Sequence, residues 1–210
     1  MRIATTIPAS GLAMLLLSGC ETTTETVDWQ APEKVLFQDG FGSNGYNWFI
    51  GAKPDAYDFE ITDGEYFLRS LNDSGILVSK AIPIPENGDF VVRVSLHSYG
   101  AEKDLGYGFC WGGADADHRF CFFASRDRQY TLFKRGPGGI REYIPWTPSP
   151  AVDADRNVLE IRKQGTVLRY GVNGKETGAI PYEPFFGSRL YFAGDGIQDF
   201  AVDAVTVLGP

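Results

Sequence analysis

The segment from Gly106 to Ser125 (GYGFCWGGADADHRFCFFAS) most constrains how this chain can fold. Two runs rich in aromatic residues flank a short polar turn, which is typical of a β-hairpin. When the runs are paired about that turn, Cys110 lies opposite Cys121, and Trp111 lies opposite Phe120. Because side chains alternate faces along a strand, one face of the hairpin is aromatic and the other consists mainly of glycine and cysteine. The aromatic face needs a second sheet to cover it, so the segment predicts the central hairpin of a β-sandwich.

Other turn signals predict short strands along the rest of the chain. Asp63-Gly64 and Asn173-Gly174 each separate two alternating runs and are typical of two-residue hairpin turns. Gln164-Gly165 predicts a third such turn, which sets Ile161 opposite Leu168. The stretch 136–150 (GPGGIREYIPWTPSP) predicts a loop with one short strand. No stretch shows sustained helical periodicity, so the sequence predicts an all-β protein of two sheets and twelve or so strands.

The N-terminus has the pattern of a bacterial lipoprotein signal peptide. Arg2 precedes the apolar run 12–17 (LAMLLL), which is shorter than the ~20 residues of a membrane-spanning helix. The residues 17–20 (LSGC) resemble a lipobox, in which the cysteine thiol is diacylated and becomes the new N-terminus. The sequence therefore predicts a signal peptide over 1–19 and lipidation of Cys20. The alternative is a plain signal peptide followed by an incidental cysteine.

The remaining organisation follows from composition and charge. The polar, threonine-rich stretch 20–33 predicts a lipidated tether, and 34–210 predicts one globular domain. Glu21 is not the aspartate that retains Gram-negative lipoproteins at the inner membrane, so the outer membrane is the expected location within the cell envelope. The chain has a net charge of −8 and lacks a basic cluster, which argues against binding nucleic acid. Contact with the membrane is expected through the lipid anchor alone.

Three sets of passages fit one family pattern. They are 36–41 with Trp48 and 61–68, then 106–112, and then 157–162 with 170–174. Together they resemble the concanavalin A-like, laminin-G-like jelly rolls of bacterial surface proteins, a group that includes three-keto-disaccharide hydrolase-like domains and carbohydrate-binding modules. The resemblance covers most of residues 35–208 and implies an antiparallel two-sheet jelly-roll sandwich. Its motifs are turns and core aromatic residues, so it implies a fold more strongly than an activity.

Two features of the central hairpin bear on its chemistry. A disulfide between Cys110 and Cys121 is expected from the predicted register and from an oxidising location; the alternative is two buried thiols. Asp115 and Asp117 offer hard oxygens for calcium, which concanavalin A-like folds often hold, but a solvated turn is the preferred interpretation. No other cofactor is expected, because the two histidines and three cysteines have no zinc-site spacing.

Catalytic residues are not predicted. Laminarinase-like relatives in this fold carry their carboxylates in a Glu-x-Asp-x-x-Glu strand motif, which the chain lacks, and no Gly-x-Ser-x-Gly motif is present. Sugar binding would instead use exposed aromatic rings on loops, since pyranose rings stack on them. The loop candidates are Tyr46, Trp48, Tyr143 and Trp146, and each tryptophan could instead fold back into the core.

The sequence thus favours a non-catalytic, envelope-anchored lipoprotein whose jelly roll binds a glycan or a protein partner. One alternative is a divergent glycan-active hydrolase of the keto-disaccharide hydrolase-like group. Another is a structural envelope subunit that binds no small ligand.

We expect Cys20→Ala to release the full-length protein from the membrane fraction, because Cys20 is the predicted site of lipid attachment. Fractionation of cells followed by immunoblotting measures this. The double variant Cys110→Ser/Cys121→Ser keeps the lipobox and should remain with the membrane. Retention of the Cys20→Ala variant in the membrane fraction would contradict lipidation.

Overall fold

The computed structural model describes residues 34–100 and 105–210, which form fifteen strands. The signal peptide predicted at 1–19, Cys20 and the tether predicted at 20–33 lie outside the described residues. Within the described ranges, no helix is long and apolar enough to cross a membrane. The strands in chain order are β1 (Lys34–Asp39), β2 (Gly51–Lys53), β3 (Tyr57–Thr62), β4 (Glu65–Ser70), β5 (Ile76–Ala81), β6 (Phe90–Ser98), β7 (Gly106–Gly113), β8 (Arg119–Ser125), β9 (Gln129–Gly136), β10 (Gly139–Pro148), β11 (Arg156–Gln164), β12 (Val167–Val172), β13 (Lys175–Pro181), β14 (Arg189–Gly194) and β15 (Asp199–Gly209).

These strands form two antiparallel sheets that pack face to face. The larger sheet has the order β13-β12-β11-β6-β15-β4-β3-β2, with β1 also paired to β15. The smaller, six-stranded sheet has the order β10-β9-β8-β7-β14-β5. Buried residues from both sheets form one main hydrophobic core. The predicted all-β, two-sheet sandwich is confirmed.

The central hairpin β7–β8 has the predicted register. Cys110 pairs with Cys121, and Trp111 pairs with Phe120. The aromatic face of the hairpin is buried in the main core, as the need to cover it with a second sheet requires. The predicted disulfide is present between Cys110 and Cys121, whose Cα atoms lie 4.0 Å apart.

The β11–β12 hairpin differs from its predicted register by two residues. Its two-residue turn is Gly165-Thr166, so Ile161 pairs with Tyr170 rather than with Leu168. Gly165 has a φ of +56°, a left-handed conformation that glycine adopts at little cost, and it opens the turn. An offset of two residues leaves every side chain on its predicted face, so the apolar side of the hairpin is still buried.

The stretch predicted as a loop with one short strand contains the ten-residue strand β10. Proline is tolerated there because β10 is the edge strand of the six-stranded sheet and pairs only with β9. The pairing is irregular, with register shifts between Glu142 and Ile144 and between Ile144 and Thr147. The prediction is wrong because glycine and proline usually indicate the end of a strand, whereas in this stretch they occur within an edge strand.

Trp48 belongs to the main core, where it is 3% exposed. Its Nε1 donates a hydrogen bond to the Oδ2 of the buried Asp39 at 2.7 Å, and its ring stacks on Phe192 with centroids 5.0 Å apart. Its loop is held by Asn44, whose Oδ1 accepts a hydrogen bond from the Trp48 amide. This corrects the interpretation of Trp48 as an exposed sugar platform, because a buried acceptor satisfies the indole N–H and leaves the ring free to pack inside.

The two tryptophans provide a test of this assignment. Trp48→Ala should lower the free energy of unfolding by about 3–5 kcal/mol, as for a large aromatic side chain removed from a core. Trp146→Ala, which removes a more exposed indole, should cost about 1 kcal/mol or less. Urea denaturation of both variants measures the two losses in the free energy of unfolding. Equal losses would contradict the assignment of Trp48, and not of Trp146, to the core.

Candidate functional site

The outer face of the six-stranded sheet, which points away from the main core, has a hydrophobic cluster of its own. The buried members of this outer cluster are Cys110, Cys121, Phe123, Tyr191 and Ala193, with Leu77 and Phe133 packed against them. The disulfide lies within it. The outer face of an antiparallel sheet is usually solvated. Burial of this cluster therefore means that neighbouring side chains cover this part of the sheet.

A groove of about 280 Å³ lies beside the outer cluster. We call it the outer-face groove and define it by three apolar residues (Leu77, Phe123, Phe133) and four charged ones (Arg119, Arg135, Asp117, Asp195). Its volume is close to the lower limit for small-molecule sites. Part of its rim is the turn between β7 and β8.

Glycines in β7 let side chains lie directly on the strand. A Cβ atom added at Gly108 would lie 2.8 Å from the ring of Phe123, and one added at Gly106 would lie 2.9 Å from the same ring. The Gly106 position would also lie 2.8 Å from Asp195 Oδ2 and 2.9 Å from Trp146 Cζ2. Side chains from three separate segments therefore converge over Gly106.

The position of Trp146 shows that the sheet curves towards this face. Trp146 lies in β10, and β7 is the third strand from it, which corresponds to about 14 Å in a flat sheet at ~4.8 Å per strand. An indole cannot span that distance, so its approach to Gly106 requires curvature. Trp146 is 38% exposed and thus leaves part of its ring open to a ligand next to the groove.

Two arginines stand side by side in the outer-face groove. Arg119 of β8 pairs across the strands with Arg135 of β9. Arg119 is only 9% exposed, and its Cζ lies 5.9 Å from the ring centroid of Tyr191. Burial, together with the charge of Arg135, lowers the pKa of Arg119. The fold thus holds a guanidinium where its charged form is disfavoured.

Asp195 supplies a carboxylate to the same groove. Desolvation by the surrounding atoms raises the pKa of Asp195, and the charges of Arg135 and Arg119 oppose that effect, although the residue as a whole is exposed at the surface. Its backbone is fixed, because its amide donates to the Gly106 carbonyl at 2.8 Å and its own carbonyl accepts from Gln198 Nε2 at 2.6 Å. The backbone at the base of this side chain is therefore fixed beside the groove.

The four aromatic residues suggested by the sequence do not form one site. Trp146 lies next to the outer-face groove, whereas Trp48 is in the core. Tyr46 is 45% exposed and packs against Phe37 of the larger sheet, with ring centroids 4.6 Å apart. Tyr143 is half-buried against the main core.

The turn between β7 and β8 does not fit a calcium site. Asp115 Oδ1 accepts hydrogen bonds from the Asp117 amide and from His118 Nδ1, each at 2.8 Å. The hydrogen bond from the Asp117 amide, with that from His118, lowers the pKa of Asp115. The oxygens are thus used within the turn, as the interpretation of a solvated turn requires.

The sequence alone does not identify Arg119, Arg135 or Asp195 as site residues. The register of the central hairpin places Arg119 on the same face as Cys121 and Phe123, so the alternation of side chains contained that signal. The positions of Arg135 and Asp195 depend on pairings with β9 and β14, which the sequence left open.

Comparisons with known proteins bear on the fold. No protein-family model matches the sequence, and the search of curated proteins gives no match. A Bacillus subtilis protein of unknown function with a galectin-like fold matches with a TM-score of 0.61 at 12% identity, covering 83% of this chain and 95% of its own. Bacillus licheniformis β-glucanase matches with a TM-score of 0.59 at 9% identity, covering 82% and 97%. The endo-β-1,3-glucanase from Pyrococcus furiosus matches with a TM-score of 0.55 at 14% identity, covering 84% and 94%.

The fold is a concanavalin A-like jelly roll. These similarities confirm the architecture that the sequence resemblance implied. At such low identity they concern the fold alone, and an activity has to be argued from the site.

On its larger sheet, this jelly roll carries a second polar cluster. Glu65, His97 and Asp203 each offer an atom within 4.8 Å of the others, and they form the only such metal-capable group among residues 34–100 and 105–210. Several of these atoms already have partners: Tyr99 Oη donates to Glu65, and Arg156 Nη1 lies 3.1 Å from Asp203 Oδ2, whereas Asp203 Oδ1 is buried without a hydrogen-bond partner. The cluster is therefore mainly an internal network of hydrogen bonds and ion pairs.

The pKa values of the two carboxyl groups in this network are shifted in opposite directions. Burial, with the hydrogen bond to Glu65, raises the pKa of Asp203 to about 6. Burial acts to raise the pKa of Glu65, but hydrogen bonds from Tyr99 and Asp203 lower it overall. Between pH 4 and 6 the folded protein holds a proton on Asp203 that the unfolded chain has released, so the contribution of Asp203 to stability falls as the pH rises.

Asp203→Asn should therefore raise the free energy of unfolding at pH 7 by about 1 kcal/mol and flatten its decline between pH 4 and 6. Urea midpoints across that range measure the effect. Asp199→Asn, on the same strand and paired with Arg69, is the matched control and should give no such gain. An Asp203→Asn variant that is less stable than the wild type at pH 7 would contradict the raised pKa.

Proposed function

We propose that the outer-face groove binds a glycan and that the protein is a non-catalytic lipoprotein of the cell envelope. The observation that carries the proposal is the convergence over Gly106 of Trp146, which is 38% exposed, and the Asp195 carboxylate, beside a groove that Arg119 also lines. A sugar ring offers an apolar face for an indole and hydroxyl groups for charged side chains, so such a site suits it.

The structural neighbours support a glycan as the ligand class. Two of them are named as glucanases and thus act on glycans. They share the fold with this chain at 9% and 14% identity. Their names add weight to a saccharide without assigning one, because this fold serves many functions.

The preference for binding over hydrolysis rests mainly on the sequence. Glycoside cleavage requires two carboxylates about 5–9.5 Å apart on either side of the scissile bond. The carboxylates that line the outer-face groove are Asp195 and Asp117, and Asp117 lies in the exposed turn between β7 and β8. The chain also lacks the Glu-x-Asp-x-x-Glu motif of the laminarinase-like relatives.

The envelope location rests on the sequence around Cys20. A lipid on that residue would tether the jelly roll through the polar stretch 20–33. The disulfide in the outer cluster is compatible with this location, because such bonds persist in oxidising compartments outside the cytoplasm. The outer membrane remains the favoured membrane in a Gram-negative cell.

Trp146→Ala should weaken glycan binding about tenfold or more, because it removes the ring on which the sugar stacks. A thermal-shift screen of the full-length protein against a panel of oligosaccharides identifies the ligand, since a ligand at about a hundred times its Kd adds ~2.7 kcal/mol. Isothermal titration calorimetry then gives the Kd of each variant. Tyr46→Ala is the matched control, because it removes a comparably exposed ring that packs against Phe37 of the larger sheet.

Three results would overturn the parts of this proposal separately. An unchanged Kd for Trp146→Ala would remove the binding site from the outer-face groove. New reducing ends during incubation with the bound oligosaccharide would replace a binding protein by a hydrolase. The absence of any stabilising saccharide in the panel would contradict glycan binding and favour a protein partner or a structural role.

A further inference from the structure

Arg119 and Arg135 have polar groups that the folded protein leaves unsatisfied. The Nε and Nη1 atoms of Arg119 and the Nε atom of Arg135 are buried and have no hydrogen-bond partner. Buried donors are nearly always paired in native proteins, so each exception requires an explanation. These three N–H groups belong to neighbouring residues that both line the outer-face groove, which points to one shared partner.

The pair is also unfavourable electrostatically. Like charges directly opposite each other on neighbouring strands destabilise a sheet, and burial strengthens that repulsion. The carboxylates of Asp195, Asp117 and Asp115 offset part of this repulsion but leave the three N–H groups unpaired. A ligand that accepts hydrogen bonds from those N–H groups would complete the arrangement.

We propose that Arg119 and Arg135 bind the carboxylate of an acidic sugar, so that the ligand of the outer-face groove is a glycan containing uronic acid. This inference rests on the proposed function and narrows its ligand class. A guanidinium presents parallel N–H groups that match the two oxygens of a carboxylate. The same sugar ring would extend towards Trp146, and its hydroxyl groups would donate to Asp195.

The charge distribution of the chain agrees with this assignment. The protein as a whole has a net charge of −8, so acidic glycans are repelled by most of its surface. The outer-face groove differs from that surface, since Arg119 and Arg135 lie there beside Asp117 and Asp195. A pair of arginines at one place on an acidic protein favours recognition of one anionic group rather than of a densely charged polymer.

The direct test compares each oligouronide with its methyl ester, which keeps the ring and removes the charge. Oligogalacturonides, oligomannuronates and sulfated neutral oligosaccharides are titrated into the full-length protein by calorimetry. We expect one acid to bind at least tenfold more tightly than its ester, with affinity that falls as salt is raised. Arg119→Gln and Arg135→Gln should each weaken the acid about ten- to hundredfold and leave the ester unchanged.

A second measurement separates recognition from folding. Without ligand, Arg119→Gln should raise the melting temperature, because it removes a buried charge that has no partner and that faces Arg135. Arg169→Gln is the matched control: this arginine lies on the larger sheet and pairs with Glu176 at 2.7 Å, so its loss should not raise the melting temperature. A variant that is more stable yet binds the acid poorly is the signature of a binding residue.

The outcomes separate this inference from the proposed function. If acid and ester bind equally, and only Trp146→Ala weakens them, the groove binds glycans but the uronate inference is overturned. If the sulfated oligosaccharides alone bind, the inference is overturned in favour of a sulfate ester. If no saccharide binds, the proposed function and the inference both fail. A lower melting temperature for Arg119→Gln than for the wild type would show that Arg119 serves the fold instead.

Discussion

The structure depends on the two-sided burial of the central hairpin β7–β8. One face of the hairpin holds the aromatic side chains that the larger sheet covers, and the other holds the disulfide and the outer cluster. Because both faces are buried, a slip of one residue would move aromatic rings out of the main core and glycines into it. The register is therefore fixed from both sides, and it sets the positions of the neighbouring strands β9 and β14.

The glycines of β7 link this packing to the site. Their lack of side chains lets Phe123 lie on the strand and lets Asp195 and Trp146 approach it. Small residues on one strand thus let the side chains beside the groove approach one another, and the larger residues that line the groove determine its chemistry. Arg119 reaches the same face because it follows the turn at an outward-facing position of β8.

Local patterns predicted most of the fold and little of the site. The hairpin around Cys110 and Cys121 followed from alternation and turn chemistry, both of which act within about twenty residues. The offset at Gly165 arose because a glycine can open or close a two-residue turn, and the sequence does not say which. The sequence alone does not distinguish Trp48 from Trp146. The hydrogen bond from Trp48 to the buried Asp39, nine residues away, allows the Trp48 ring to pack inside.

The sequence also does not reveal which charged groups form the site, because these groups come together through long-range strand pairing. Arg135 and Asp195 reach Arg119 only through strand pairings whose order the sequence does not reveal. An arginine on a strand is also normally a solvated residue, and nothing local distinguishes one that will be covered. Long-range pairing placed three charged residues around one groove, with Arg119 buried, Arg135 partly buried and Asp195 exposed.

The position of the disulfide has a consequence for how the protein matures. Cys110 and Cys121 are fully enclosed once Phe123 and Tyr191 close over them. An oxidising enzyme can reach the two thiols only while the outer cluster is still open, so the bond has to form during folding and not afterwards. Once enclosed, it is equally shielded from reductants. The disulfide therefore forms in the compartment in which the two sheets fold, and the closed outer cluster protects it afterwards.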